Sequence, residues 1–244
     1  MTKKPFVPRF TCLNGGFYVS NSLYLRPRTR ISRWVLLTQD YNPQEEFWAK
    51  RFAESYRTAN TVFNKELNEK AWRLILQKIP KNSFSSILEC GSNIGRIVAA
   101  LNSLYPDANI SVIEINEQAL QICNTANIVH GSFLGPIKEA NFDTQFDIVF
   151  TAGVLIHVAP KDLLASLTKM FQLSAKYIIV GEYFNRTPIS IDYHGEQEKL
   201  FKRDWGKFVI ENFDVTVIDY GFLWGHEFDE AGFDDITYWV FEKN

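Results

Sequence analysis

The chain has 244 residues, 46% of them hydrophobic and 22% charged, which is the make-up of an ordinary globular protein with room for one large core or two small ones. No run approaches the ~18 consecutive apolar residues of a membrane-spanning helix, and no apolar block behind the basic N-terminus resembles a secretory leader, so a cytoplasmic location without membrane attachment is expected. The net charge of −2 hides a split: residues 1–39 carry seven Lys/Arg and no acid, whereas all 28 acids lie from Asp40 onward.

Residues 1–39 are broken by Pro5, Pro8, Gly15, Gly16 and Pro27 and show no periodicity. They read as a flexible basic arm ahead of one domain, 40–244. The acidic domain would repel a phosphate backbone, so a nucleic-acid partner is not expected. Cys12, Cys90 and Cys123 form no CxxC pair and suggest neither a disulfide framework nor a zinc site. His130, His194 and His226 show no metal-ligand spacing with Asp or Cys, and no metal is expected.

From Asp40 the pattern becomes regular. Residues 45–56 and 64–77 have helical spacing that places Phe47, Phe52, Leu67, Ala71 and Leu74 inward. Short β-branched runs follow at 85–90, 109–115, 128–131, 146–151 and 176–183, with helical segments at 93–104, 116–127 and 160–173 between them. This alternation predicts an α/β fold with a mostly parallel sheet covered by helices on both faces. Asn116 suits an N-cap and Pro160 a first helical position. After Tyr183 the spacing predicts an irregular stretch, a helix over about 196–212, and a closing antiparallel pair, 215–222 and 236–242, for about seven strands in all.

Ile87-Leu88-Glu89-Cys90-Gly91-Ser92-Asn93-Ile94-Gly95 runs from a buried strand into a tight glycine turn, where a ligand can approach the backbone closely. A dinucleotide fingerprint starting at position 89 needs glycine at 89, 91 and 94, but the chain has Glu89 and Ile94. A carboxylate at 89 would also repel a diphosphate. A ligand with a positive centre and no phosphate fits better, and S-adenosylmethionine (SAM), a sulfonium with a ribose diol, is one. Glu114, at the end of the second strand, is placed to accept the diol protons. Ser132 and Phe133 are expected to bracket the adenine, and Thr151 and Gly153 to lie beneath the methionine part. The predicted cofactor set is therefore Glu89, Gly91, Asn93, Gly95, Glu114, Ser132, Phe133, Thr151 and Gly153.

At these residues the sequence resembles the class I SAM-dependent methyltransferases, whose Rossmann-like sheet has seven strands with an antiparallel C-terminal hairpin strand. More narrowly it is similar to the pseudaminic acid biosynthesis-associated methylases over about 38–244. The carriers are Gln44-Glu45-Glu46-Phe47-Trp48, the glycine loop, Gly153-Val154-Leu155-Ile156-His157, Glu182-Tyr183-Phe184-Asn185, Leu200-Phe201-Lys202-Arg203-Asp204, Asp219-Tyr220-Gly221-Phe222 and Asp234-Asp235. The resemblance implies a nonulosonic sugar or nucleotide-sugar acceptor in surface-glycan biosynthesis. Ala59 and His194 stand where that pattern has arginines, which implies an acceptor different from that of close relatives.

Methyl transfer from a sulfonium is an in-line displacement dominated by alignment. An alcohol or protonated amine acceptor also needs a base. His157, after the fourth strand, is the leading candidate, with Glu182 and Tyr183 placed to orient or deprotonate the acceptor. Tyr193, Lys202 and Arg203 are candidate acceptor contacts, the two cations on the late helix, with Phe201, Trp205 and Trp224 available for an aromatic wall. An NAD(P)-dependent oxidoreductase on the same kind of sheet and a non-catalytic methyltransferase-like scaffold are the rival readings.

Overall fold

The computed structural model describes residues 41–51, 63–193 and 196–244, so the basic arm, residues 52–62 and His194 lie outside the described residues. Asn42 opens the described chain as a helix cap. Its side chain accepts the Gln44 and Glu45 amides, and the Glu45 carboxylate returns to the Asn42 amide at 2.9 Å, closing a capping box around α1 (Pro43–Glu46). The backbone then widens into a π-turn, Phe47–Arg51.

Helix α2 (Lys65–Ile75) leads to β1 (Ser86–Cys90), α3 (Arg96–Leu104), β2 (Asn109–Glu114), α4 (Glu117–Thr125) and β3 (Val129–Leu134). The chain continues through β4 (Phe146–Ala152), α5 (Pro160–Leu173) and β5 (Ser174–Glu182). The predicted caps form: Asn116 accepts the Ala119 amide at 2.8 Å, and Pro160 begins α5. Strands β6 (Ile189–Tyr193) and β7 (Glu196–Lys202), α6 (Trp205–Asn212), β8 (Val215–Leu223), α7 (Gly225–Phe228) and β9 (Ile236–Lys243) complete it.

Seven strands form one sheet in the order β3-β2-β1-β4-β5-β9-β8. The first five are mutually parallel, and β9 runs antiparallel to both β5 and β8. The pleat divides the core. On one face Ile87, Val112, Ile148 and Phe150 pack against Trp72, Val98, Leu101 and Leu120 of α2, α3 and α4. On the other, Leu88, Ile113, Val149 and Ile178 meet Leu163, Leu167, Met170, Trp205 and Val209 of α5 and α6. The connections from β1 lead outward through β2 and β3, while β4 lies on β1's other side. A crevice therefore opens where the C-terminal ends of β1 and β4 part, the switch point at which open α/β sheets bind ligands.

Two expectations are corrected. The helix expected over 196–212 is a strand followed by a helix: β7 pairs antiparallel with β6 in a separate two-stranded sheet, and α6 begins only after Asp204, which caps the Lys207 amide at 2.9 Å. Long-range pairing of Ser190 with Phe201 and Ile191 with Leu200 outweighs the local helical spacing. Lys202 and Arg203 accordingly lie at the end of β7, not on a helix. The third strand also runs on past Gly131 to Leu134, because Ser132 and Phe133 pair with Val112 and Ile113 of β2. Gly131 pairs with Ser111 inside the strand, where a Cβ would come 3.2 Å from Ser111 Oγ.

Gly95 caps α3 in the left-handed region at φ +86°, and a Cβ on it would lie 2.7 Å from Cys123 Sγ. Gly95→Ala should lower unfolding free energy by about 1–3 kcal/mol, from overpacking and the disfavoured φ. Urea unfolding followed by circular dichroism checks this; a loss below ~0.5 kcal/mol would mean that α3 and α4 can part at no cost.

Candidate cofactor and acceptor site

A cavity of about 300 Å³ lies on the rim above β1, β2 and β4. Its floor is the turn after β1, where Gly91 (φ +87°) and Ser92 donate their amides to the Ile113 carbonyl at 2.7 and 3.1 Å. A Cβ on Gly91 would come 2.5 Å from Val154 Cγ2, so glycine here lets the turns after β1 and β4 close on each other. Asn93, at φ +48°, donates its amide to Glu114 Oε2 at 2.6 Å, and Asn116 donates to Oε1 at 2.8 Å. Both oxygens of Glu114 are thus oriented by backbone, while its residue still lines the cavity.

Glu89 differs. It is 2% exposed, lines the same cavity, and its Oε2 has no hydrogen-bond partner among the described residues. Burial first, and repulsion from Glu114 second, hold its carboxyl well above the usual range, with Arg96 opposing. Burial also raises Glu114, against its amide bonds. Two neighbouring carboxylates at one end of the cavity, one of them unsatisfied, make a place for a cation or hydroxyl donors and not for phosphate.

The loop after β4 supplies the opposite wall. Gly153, at φ +68°, donates to the Gly181 carbonyl at 2.8 Å, and Val154, Ile156 and His157 line the cavity. His157 Nδ1 is 3.0 Å from the Lys199 carbonyl, which can only accept. The proton is therefore on Nδ1, and Nε2 is the accepting nitrogen of the neutral ring. Burial lowers its pKa from 6.5 to about 4. Tyr183, at the end of β5, also lines the cavity, and Lys202 Nζ lies 4.9 Å from the centre of its ring.

Of the predicted residues, the cavity gathers Glu89, Gly91, Asn93, Glu114, Gly153, His157 and Tyr183. The others act differently. Glu182 is fully buried, and its carboxylate accepts the amides of Val154, Leu155 and Ile156 at 3.1, 2.9 and 3.2 Å, so it clamps the loop after β4 and does not face an acceptor. Thr151 is wholly buried beneath that loop, and Gly95 packs on Cys123. Ser132 and Phe133 sit in β3, where Ser132 Oγ takes a 3.3 Å bond from Asn124 and Phe133 packs against the core; Gly135, Pro136 and Ile137 hold the place on the rim expected for them. Lys202 touches Tyr183 from outside the cavity, and Arg203 lies over the Trp205 and Phe208 rings at 5.2 and 5.4 Å. Trp205 and Phe201 are buried, and Trp224 lines a separate groove. The side chain of Tyr193 lies outside what the structure describes.

The turn around α1 was not anticipated at the site, yet Asn42, Gln44 and Trp48 line the cavity. The Trp48 ring centre is 4.1 Å from that of His157. Asn116 Nδ2 holds the Ala49 carbonyl at 2.7 Å, joining this turn to the strand end that carries Glu114. Glu45 and Asp162 share Lys138 at 2.7 and 3.1 Å, while Asn42 reaches Asp162 at 2.9 Å. Two sequence signals fall here, the capping pattern Asn42-Pro43-Gln44-Glu45 and the resemblance block Gln44–Trp48, but neither says what the turn covers.

Comparison with known proteins places this geometry. The family model described as "Methyltransferase small domain" matches residues 55–155. The Mg-protoporphyrin IX methyltransferase of Synechocystis, solved with bound SAM, superposes with a TM-score of 0.62 at 9% identity over 84% of this chain and 99% of that one. This chain has the class I SAM-dependent methyltransferase fold. A second methyltransferase structure, the 1,6-didemethyltoxoflavin-N1-methyltransferase of Burkholderia thailandensis with bound S-adenosylhomocysteine, gives 0.61 at 12% identity, over 79% and 84% of the two chains. Ribosomal RNA small subunit methyltransferase C of Shewanella sediminis is 28% identical over 106 residues, 43% of this chain. The alignment spans 29% of that relative's length.

On this methyltransferase fold Glu182 is a structural clamp. Glu182→Ala leaves three amides without their acceptor and should reduce stability by about 3 kcal/mol or more, at ~1–3 kcal/mol for each buried group left unpaired. Urea unfolding measures it; a loss under ~1 kcal/mol would mean that the loop finds other acceptors.

Proposed function

We propose that this chain is a SAM-dependent methyltransferase that moves a methyl group to an O or N atom of a sugar-type small molecule. The observation carrying the cofactor part is Glu89, buried on the cavity floor with an oxygen that has no partner among the described residues. A cation beside that carboxyl favours its ionised form whereas a diphosphate opposes it, and SAM is cationic and phosphate-free. Glu114, its oxygens fixed by two amides, suits the ribose diol. Gly135, Pro136 and Ile137 give the adenine an apolar shelf, and Gly91 and Gly153 leave room for the methionine part. When bound, SAM supplies an electrophilic methyl group on sulfur.

His157 presents Nε2 as the acceptor of the nucleophile's proton, and because its pKa is about 4 it stays neutral at physiological pH. Tyr183 and Leu200 close the acceptor side, with the cation of Lys202 behind Tyr183. A sugar acceptor is supported by the resemblance of the His157, Glu182–Asn185 and Leu200–Asp204 blocks to the pseudaminic acid-associated methylases. RNA is disfavoured by the acidic domain, and the matched segment 55–155 stops before His157, Tyr183 and the β6–β7 hairpin. The likeness to that family model therefore does not reach the acceptor wall.

Calorimetry with SAM and with S-adenosylhomocysteine tests the cofactor, and an absence of binding to either removes the reading. Glu114→Ala should weaken SAM binding by about 1–3 kcal/mol, the usual loss for a hydrogen bond to a charged group. Incubating free and nucleotide-linked nonulosonic sugars with isotope-labelled SAM should yield a product one methyl unit heavier; label on no sugar would exclude the acceptor class.

The histidine also sets two pH dependences. The kcat for methyl transfer should hold from neutral pH and fall as pH approaches about 4, where His157 takes a proton. Its folded pKa lies below the unfolded 6.5, so its contribution to stability is present above 6.5 and is lost as pH falls toward about 4. His157→Gln should flatten the stability profile in that window, as read by thermal melts from pH 4 to 7.

A further inference from the structure

Gln44 occupies the second position of α1, is 7% exposed, and lines the cavity. Its Nε2 lies 2.8 Å from the His157 carbonyl and 3.2 Å from the Lys199 carbonyl. Both neighbours can only accept, so the amide nitrogen and not its oxygen faces them, with one hydrogen for each. The Lys199 carbonyl is the same oxygen that receives His157 Nδ1 at 3.0 Å. Its two lone pairs are thus shared between Gln44 and the imidazole. Three segments distant in sequence, α1, the turn after β4 and the β7 strand, meet at this one oxygen.

The rest of the turn around α1 reinforces the arrangement. The Trp48 ring packs at a tilt of 44° against His157, 4.1 Å between centres, and Lys199 Nζ lies over the Phe47 ring at 5.2 Å. From its backbone, its ring face and its Nδ1 partner, His157 is held through residues of one short turn.

We infer that Gln44 is a positioning residue for His157: by pinning the Lys199 carbonyl between its own amide and Nδ1, it fixes the Nδ1–H tautomer, in which Nε2 is the basic nitrogen. Gln44 touches none of the reacting atoms and acts through the histidine. The inference rests on the reading of His157 as the proton acceptor, but the state of the ring can be measured with neither cofactor nor acceptor present. Removing the two amide hydrogens frees the β7 carbonyl to move, and Nδ1–H loses its fixed partner. The bond that selects the Nδ1–H tautomer is then weakened.

Gln44→Leu keeps the side chain's size and removes both donors, and Gln44→Met is a second variant of similar length. Nitrogen NMR of the His157 ring in the full chain should show a single Nδ1–H tautomer in the parent protein and mixed tautomers in both variants. Neutral-pH kcat should fall by about 10- to 100-fold, the effect of a small misplacement of a reacting group. The Kd for SAM, which reports a folded cofactor half, should stay within about threefold. Unchanged tautomers in both variants overturn the inference, whatever the activity. Mixed tautomers with unchanged kcat support the positioning role and remove His157 from catalysis, which separates failure of this inference from failure of the functional reading.

Discussion

Two acids that do not want to share a cavity organise this site. Glu89 and Glu114 end neighbouring parallel strands, both are almost wholly buried, and each is harder to ionise than a free carboxylate, Glu89 partly because of Glu114. Removing one carboxylate from water costs several kcal/mol, and a second nearby adds repulsion. Glu114 recovers part of that through the Asn93 and Asn116 amides, whereas one oxygen of Glu89 has no partner among the described residues. Burial and mutual repulsion thus leave both acids reluctant to ionise, most of all Glu89. It is the difference between its two acids, one oriented by backbone and one unsatisfied, that gives the cavity a direction.

The parts of this arrangement that could be read from the sequence depend on local backbone chemistry. A strand running into Gly91, left-handed positions at Gly91, Asn93 and Gly95, and an acid ending the next strand are local signals, and the structure brings Glu89, Gly91, Asn93 and Glu114 to one cavity. The helix starts at Asn116 and Pro160 were legible for the same reason: a cap is decided within four residues. The sheet followed because alternating apolar runs and amphipathic helices have few ways of burying both faces.

What the sequence did not reveal depends on partners far along the chain. Nothing local distinguishes Glu196–Lys202 as a strand; its pairing with Ile189–Tyr193 does. Ser132 and Phe133 follow a glycine that reads as the end of a strand, but pairing of Gly131 with Ser111 of β2 keeps it inside the strand. Glu182 shows the same limit in its chemistry. An acid at a strand end on the rim has the position of a catalytic group, yet three amides arriving from a loop 26 to 28 residues earlier consume its acceptor capacity. Candidates named by position along a strand therefore need their hydrogen-bond partners before a role can be assigned.

Glu182 and Gln44 then share a logic that links the two walls of the cavity. Glu182 fixes the amides of residues 154–156 and Gln44 fixes the carbonyl of residue 157, so the turn that carries His157 is gripped from the sheet on one side and from the N-terminal turn on the other. The N-terminal turn is in turn tied to the cofactor side through Asn116 and to α5 through the Asn42–Asp162 and Lys138 contacts. These are polar attachments, several of them half-buried, and such bonds contribute about 0.5–1.5 kcal/mol each when made but more when broken within a closed site. A wall assembled this way is stiff only while all its members are engaged. Because Asn116 caps α4 just beyond Glu114 while also holding the Ala49 carbonyl, three hydrogen bonds and one helical turn connect the carboxylate end to His157 without passing through the sheet.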